Sequence, residues 1–440
     1  MVKRLKVPKV FFGWWTVLAS GILAFLGTGF VNYGFSALFK PIASELGLSR
    51  ALTSTANSVQ NLGNGLEGIL SGWGSDKYGP KKVILFGIVC LTFGSIIMYF
   101  VDSLWAFLAV WGLVLGAGLS LGCEIPTDKA IVNWFVKRRG VALSIKFTLE
   151  SLSGLLMLPI LAWLLTNQGW RMTCVVAGLA IALIGFPLTW FCIKPHRPEY
   201  YGLLPDGAAV VGKITNVKKP LAQGTNTGKL SEEVEFTVGQ TMKTVSFWLM
   251  VVIGYISGLT MPIMRIHCIP FLTDIGYDPI VAATMMSLLV TSSIPARLVT
   301  GFVVDRVKIS HLRLILVTGY LMQAIGITVF LFNKGTATIY LWFLLAGLGQ
   351  GASFTVQLPM IARYYGRKAY GSIDGFRNLI TMPIRLIAPV YCGWVYDTTG
   401  SYMSVFGLFA LLLAVSVIIA YFILPPKPPG LSVNGLTKLV

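Results

Sequence analysis

The chain has 440 residues, 55% of them hydrophobic and 12% charged, whereas soluble globular domains carry about 25% charged residues, so the composition is that of a membrane protein. The net charge of +18 does not point to nucleic acid, because the basic residues form no face and sit in short clusters between apolar runs. The six cysteines include no CxxC pair, which leaves no basis for a disulfide framework or a zinc site, and no cofactor or metal is expected.

A spanning helix needs about 20 mainly apolar residues. Lys3, Arg4, Lys6 and Lys9 precede an apolar run too long for the core of a cleavable signal. Runs of spanning length fall near 12–37, 52–72, 82–101, 104–128, 140–165 and 172–193, then near 246–271, 280–304, 312–332, 338–362, 369–394 and 402–424. Pro41, Gly79, Asp102, Gly169, Gly335 and Gly400 are read as turns between them. The expected fold is an all-α membrane protein with twelve transmembrane helices in two pseudo-symmetric six-helix bundles. Residues 1–193 form the first bundle, 194–245 a linker, 246–424 the second bundle and 425–440 a tail.

Lys and Arg gather at the N-terminus, in the loops after even-numbered spans and at the C-terminus. The opposite loops hold four: Lys40, Arg50, Arg171 and Lys334. Both termini and the linker are therefore expected in the cytoplasm.

The halves repeat one another. Gly72-Trp-Gly-Ser-Asp76-Lys77 after span 2 is matched by Gly301-Phe-Val-Val-Asp305-Arg306 after span 8. Gly116-Ala-Gly118…Pro126 in span 4 is matched by Gly347-Leu-Gly349-Gln-Gly351…Pro359 in span 10. The bland role suits the repeated loop best: Asp76 and Asp305 brace helix N-termini and control closure rather than touch a substrate.

A charge inside a span costs roughly 2.5–3.5 kcal/mol on insertion scales, so each is a functional candidate. The first half carries Glu67, Glu124, Asp128, Lys129, Lys146 and Glu150; the second carries Arg265, Arg297, Asp374, Arg377 and Arg385, with His267. The arginine surplus of the second half requires anions, supplied by a substrate or by the acids across the interface. Asp374, Arg377, Asn378, Thr381 and Arg385 share one face of span 11, which is expected to line a cavity. Span 2 carries its own polar stripe, Asn57, Gln60, Asn61, Asn64, Glu67 and Ser71, which suits cavity lining and interhelical hydrogen bonding equally.

A carboxyl held away from water can carry a proton, and Glu124 and Glu150 are the best placed, with Asp128, Asp374, Lys146 and His267 as further candidates. The structural alternative pairs Lys146 with Glu124, Asp128 or Glu150, the last at i, i+4.

Two six-helix halves joined by a linker, with the repeated Gly-xxx-Asp-[Lys/Arg] loop, resemble the major facilitator superfamily, in which two halves rock about a central site. Within it, Arg297-xxx-Gly301-xxx-Asp305-Arg306, Val132-Asn-Trp-Phe-Val-Lys-Arg-Arg-Gly-Val-Ala-Leu and His267-Cys-Ile-Pro270-Phe-Leu-Thr-Asp274-Ile-Gly276 resemble the monocarboxylate and oxalate/formate transporters, the last motif their bacterial members. The resemblance implies that Arg297 binds a substrate carboxylate, that Arg377, placed by Tyr370-Gly371, supplies a second cation, and that Asn32 and Tyr33 line the cavity. Asn378 and Gln357 join them as candidate substrate contacts.

The sequence departs from the resemblance in two places. The aromatic cage of the oxalate branch is largely missing, since span 10 reads Gly351-Ala-Ser-Phe354-Thr-Val-Gln357 and span 4 offers Cys123-Glu124. The Asp that many monocarboxylate relatives place before the span 8 arginine is replaced by Thr291-Ser292-Ser293.

The resulting expectation is a monomeric secondary transporter of the bacterial inner membrane that moves a small carboxylate together with a proton. An anion exchanger and a non-transporting anion sensor are the alternatives. Cavity arginines disfavour export of cationic drugs, and no catalytic set, metal spacing or phosphate loop suggests an enzyme.

Overall fold

The computed structural model describes residues 10–47, 59–60, 67–207, 235–277, 279–333 and 335–427. Among them the chain is almost entirely helical, and eleven helices are long and apolar enough to cross a membrane. Most of the expected second span lies outside the described residues, including Asn57, Asn61 and Asn64 of its polar stripe, as does the side chain of Arg265.

Helix α1 runs Gly13–Thr28, passes through a π turn at Gly29–Tyr33 and continues over Gly34–Glu45. α2 covers 67–78 and α3 covers Pro80–Ile97. α4 is assembled from Leu104–Phe107, a π stretch Leu108–Leu115, Gly116–Cys123 and Ile125–Trp134, broken at Glu124. The run Arg139–Cys192 folds back at Gly169 (φ 74°, ψ 171°), a backbone conformation that glycine adopts without strain, and so forms α5 (139–168) and α6 (170–192). In the linker a short helix, Val238–Met242, is closed by a capping box between Thr237 and Gln240. Then follow α7 (Val245–Asp274), α8 (Pro279–Arg306), α9 (Leu312–Phe332), α10 (Thr336–Tyr365), α11 (Tyr370–Thr399) and α12 (Met403–Tyr421).

Two sequence expectations need correction. Pro41 does not make a turn: it lies inside the Gly34–Glu45 helix, and the chain turns at Gly47, whose φ is 61°. Proline removes one helical donor, a loss a continuing helix can tolerate when the remaining bonds hold. Helices α2 and α4 also overrun the spans read from hydropathy, reaching residue 78 and Trp134. The last turn of α2 is polar and adds no hydropathy signal, whereas α4 continues past the charged Asp128 and Lys129 into the buried Ile131, Val132 and Trp134.

The apolar interior falls into two clusters. One, within the first half, surrounds Trp111 with Phe30, Phe35 and Phe107. The larger is centred in the second half on Phe330, Trp342 and Phe406. It also takes in Ile131, Val132, Trp134, Phe135, Leu143 and Phe147 from α4 and α5. The halves are thus joined near the end of the bundle that bears the basic loops, hereafter the basic end. Elsewhere large apolar residues such as Trp163, Leu183, Phe191, Phe332 and Trp394 lie exposed, as a lipid-facing surface requires.

Candidate functional site

The basic end is held by two copies of one arrangement. The Asp76 carboxylate at the end of α2 accepts hydrogen bonds from the first amides of α11, Gly371 N at 3.2 Å and Ser372 N at 2.8 Å, and from Ser372 Oγ at 2.6 Å. The Asp305 carboxylate at the end of α8 accepts from the first amides of α5, Gly140 N at 2.6 Å and Val141 N at 2.9 Å. Each acid thus caps a helix of the other half, where unpaired amides and the helix dipole favour negative charge.

The motif's basic residue folds back in both copies: Lys77 Nζ lies 4.6 Å from the Trp73 ring centre and Arg306 Cζ 4.3 Å from that of Phe302. Gly72 and Gly301 let the backbones meet. An added Cβ on Gly72 would collide with the Gly371 carbonyl, and one on Gly140 would stand 2.5 Å from the Gly301 oxygen.

Other cations tie the same end. Lys129 Nζ bonds Asp76 Oδ1 at 2.6 Å and Lys368 O at 2.9 Å, so this span 4 charge belongs to the basic end and not to the centre. Arg139 Nη1 donates to Ala362 O at 3.0 Å, at the end of α10, and Arg367 Nη1 to Asn133 O at 2.9 Å, at the end of α4. These two arginines are again counterparts, each reaching the carbonyl end of the other half's helix. Their cross-half targets leave no trace in the spacing along the chain.

Farther into the bundle the first half presents acid. Lys146 Nζ on α5 pairs with Asp128 Oδ1 at 2.8 Å and lies 3.9 Å from Glu150 Oε2; Lys146 and Asp128 are buried. Of the alternatives for Lys146, the structure therefore selects Asp128 first and Glu150 second. Glu124 stands at the break in α4, with φ −105° and ψ −109°. Thr127 bridges that break, its Oγ1 donating to the Glu124 and Cys123 carbonyls at 2.6 and 2.8 Å. Non-helical backbone at membrane depth is tolerated where it is buried in protein or lines a cavity. Asn32 and Tyr33 sit at the π turn of α1. Asn32 Oδ1 accepts from Gln60 Nε2 at 3.0 Å, and the Tyr33 ring packs on Gly154 of α5.

The second half presents arginine. Arg297 is buried; its Nη1 donates across the interface to Phe147 O at 3.2 Å, and its Cζ lies 5.1 Å from the Phe354 ring centre. Phe147 and Phe354 meet edge to face at 5.1 Å, so this region of α10 does supply one aromatic to the arginine. Arg377 bonds Asp374 Oδ1 through Nη2 at 2.8 Å and Nε at 3.0 Å, and Gln357 Oε1 at 2.8 Å. Gln357 passes the chain on to the Tyr320 hydroxyl at 3.4 Å, which meets Ser257 Oγ at 2.9 Å. Arg385 reaches back along α11 to Thr381 Oγ1 at 3.4 Å and Asn378 Oδ1 at 3.5 Å. His267 stands apart from this group, its Nδ1 3.3 Å from the Tyr402 hydroxyl near the far end of α7.

The structure thus gathers Arg297, Arg377, Asn378, Gln357, Asp374, Glu124, Glu150, Lys146 and Asp128 around the interior, and Gly72, Asp76, Lys77, Gly301, Asp305 and Arg306 at the basic end. Phe147 escapes notice in the sequence because phenylalanine in an apolar span reads as lipid or core contact, and Phe354 enters there only in the description of a largely missing aromatic cage.

The sequence matches the family model described as Major Facilitator Superfamily over residues 21–315 and 247–439. It is 25% identical over 415 residues to monocarboxylate transporter 13 of Rattus norvegicus, covering 92% of this chain and 87% of that protein. It is 24% identical over 240 residues to the oxalate:formate antiporter of Oxalobacter formigenes, covering 54% of this chain and 50% of that one. The fold superposes on the crystal structure of the transporter FucP in its outward conformation with a TM-score of 0.68 at 14% identity, over 93% of this chain and 98% of that chain. With a family match across both halves, multi-pass helices and this fold, the chain belongs to the Major Facilitator Superfamily of membrane transporters.

Proposed function

We propose that the chain is a secondary active transporter that carries a small monocarboxylate-like anion together with a proton, by alternating access to a site between its halves. The observation that carries this reading is the opposition of charge at the centre: arginines on α8 and α11 face carboxyls on α4 and α5. Guanidinium groups grip a carboxylate by paired N–H bonds, which suits Arg297 and Arg377 as primary contacts, with Asn32, Tyr33, Asn378 and Gln357 lining the path. Glu124 and Glu150 are the acids best placed to take the proton, and the caps at Asp76 and Asp305 hold the basic end shut while the site is loaded. In this reading the basic end faces the cytoplasm of a bacterial cell, whose inner membrane holds the protein as a monomer.

The test is uptake of radiolabelled formate, L-lactate and oxalate into proteoliposomes. An acid-outside gradient is expected to drive concentrative uptake of at least one of them, and Arg297→Ala is expected to abolish it while leaving insertion and thermal stability near wild type. Normal transport by Arg297→Ala would remove Arg297 from the site. Uptake that ignores the pH gradient and requires an internal anion would establish exchange in place of symport.

A further inference from the structure

We propose that Arg385 is a specificity-determining residue: it holds the substrate carboxylate while the basic end is closed, and Glu124 of the other half takes its guanidinium when the site is empty. This rests on the carboxylate reading above.

The lipid face of α11 is marked by the exposed residues Ile387, Tyr391 and Trp394. At 100° per residue Arg385 stands roughly 200° around the helix from Ile387 and roughly 180° from Trp394, on the face shared by Asp374, Asn378 and Thr381. Its stem crosses α7 at Gly258, where an added Cβ would stand 3.1 Å from Arg385 Cγ and 3.6 Å from Nε. The side chain is therefore directed inward by packing and yet remains exposed, as it would in a water-filled cavity.

The partners of Arg385 distinguish it from Arg377 and Arg297. Arg377 is answered by Asp374, and Arg297 is seated between the Phe147 carbonyl and the Phe354 ring. Arg385 has five N–H donors but only two long bonds, to the neutral Asn378 and Thr381 oxygens, and no described carboxylate lies within ion-pair distance of it. A cation at this depth with no described carboxylate in ion-pair contact is costly, so an anion is wanted there.

Glu124 is the carboxyl that feels Arg385 from across the interface. Facing Glu124 are also Glu67 of α2, Lys146 and Glu150 of α5, and Asp374 of α11. The carboxylates of Glu124 and of the substrate thus compete for one guanidinium. A proton moving from cavity water onto a Glu124 carboxylate oxygen removes the competitor and frees Arg385 for the substrate. One proton and one anion then enter together, and the charge of the centre is unchanged.

The test is binding affinity of the purified full-length protein for formate, L-lactate and oxalate at constant pH, using the probe that wild type binds best. Arg385→Gln should weaken binding at least about 10-fold, the loss of one charge-assisted contact, and Arg385→Lys should fall between it and wild type. Glu124→Gln should tighten binding several-fold in the wild-type background and change nothing in the Arg385→Gln background. Wild-type affinity in Arg385→Gln, or equal tightening by Glu124→Gln in both backgrounds, overturns this proposal alone. Wild type that binds no carboxylate overturns the carboxylate reading and this proposal with it. The lysine variant keeps the test decisive if Arg385→Gln fails to fold.

Discussion

The two halves of this transporter are near copies at the basic end and opposites at the centre. At the basic end Asp76 and Asp305 cap α11 and α5, and Lys77 and Arg306 each fold onto an aromatic ring one turn back. At the centre the first half has Lys146 held between Asp128 and Glu150, with Glu124 beside them, whereas the second half has three described arginines against Asp374. Duplication therefore explains the moving frame, and divergence between the copies explains what the frame can hold.

The comparison can be broken most severely at Lys146. Lys146→Met leaves the buried Asp128 charge unpaired and should cost about 3–5 kcal/mol, seen as a large fall in melting temperature. Adding Asp128→Asn should restore much of it; failure to do so would show that the pair is not the source of the loss.

A smaller effect sharpens the symmetry. Asp76→Asn and Asp305→Asn each lose charge-assisted bonds to helix amides, together roughly 1.5–3 kcal/mol. Hydrogen exchange should rise over 370–373 in the first variant and over 139–142 in the second. Equal increases fit matched caps; a response in only one would show that one copy carries the closure.

The mildest change is Arg377→Lys. A lysine keeps the charge but loses the planar fork that lies on Asp374 and Gln357, so transport should weaken several-fold and persist. Complete loss would mean that the planar fork of Arg377 is indispensable.

Much of the frame was legible in the sequence because span length, the basic loops and the repeated glycine–aspartate turn are each local signals. What escaped has a physical cause in each instance. The π segments of α1 and α4 change hydrogen-bond register without changing composition. Pro41 resembled a turn because its penalty is local while the helix around it is supported by packing. Glu124 was noticed as a charge but not as the site of a broken helix, although Gly122 and Pro126 flank it. Arg139, Arg367 and Arg297 each donate to a backbone carbonyl of a distant residue, which no spacing along the chain announces. Arg385 stood out by charge alone, and only the geometry of α11 and Gly258 gives it a direction.

The glycine crossings at Gly72–Gly371 and Gly140–Gly301 bear on speed more than on strength. Surfaces that interlock through side chains must repack rotamers each time they part, and each such event adds a barrier. Bare backbone against bare backbone has no teeth to disengage, so the separation is resisted by the carboxylate caps and by the ties of Lys129, Arg139 and Arg367. Such a joint can be held firmly at rest and still be quick to release, a property suited to a transporter whose halves part and rejoin.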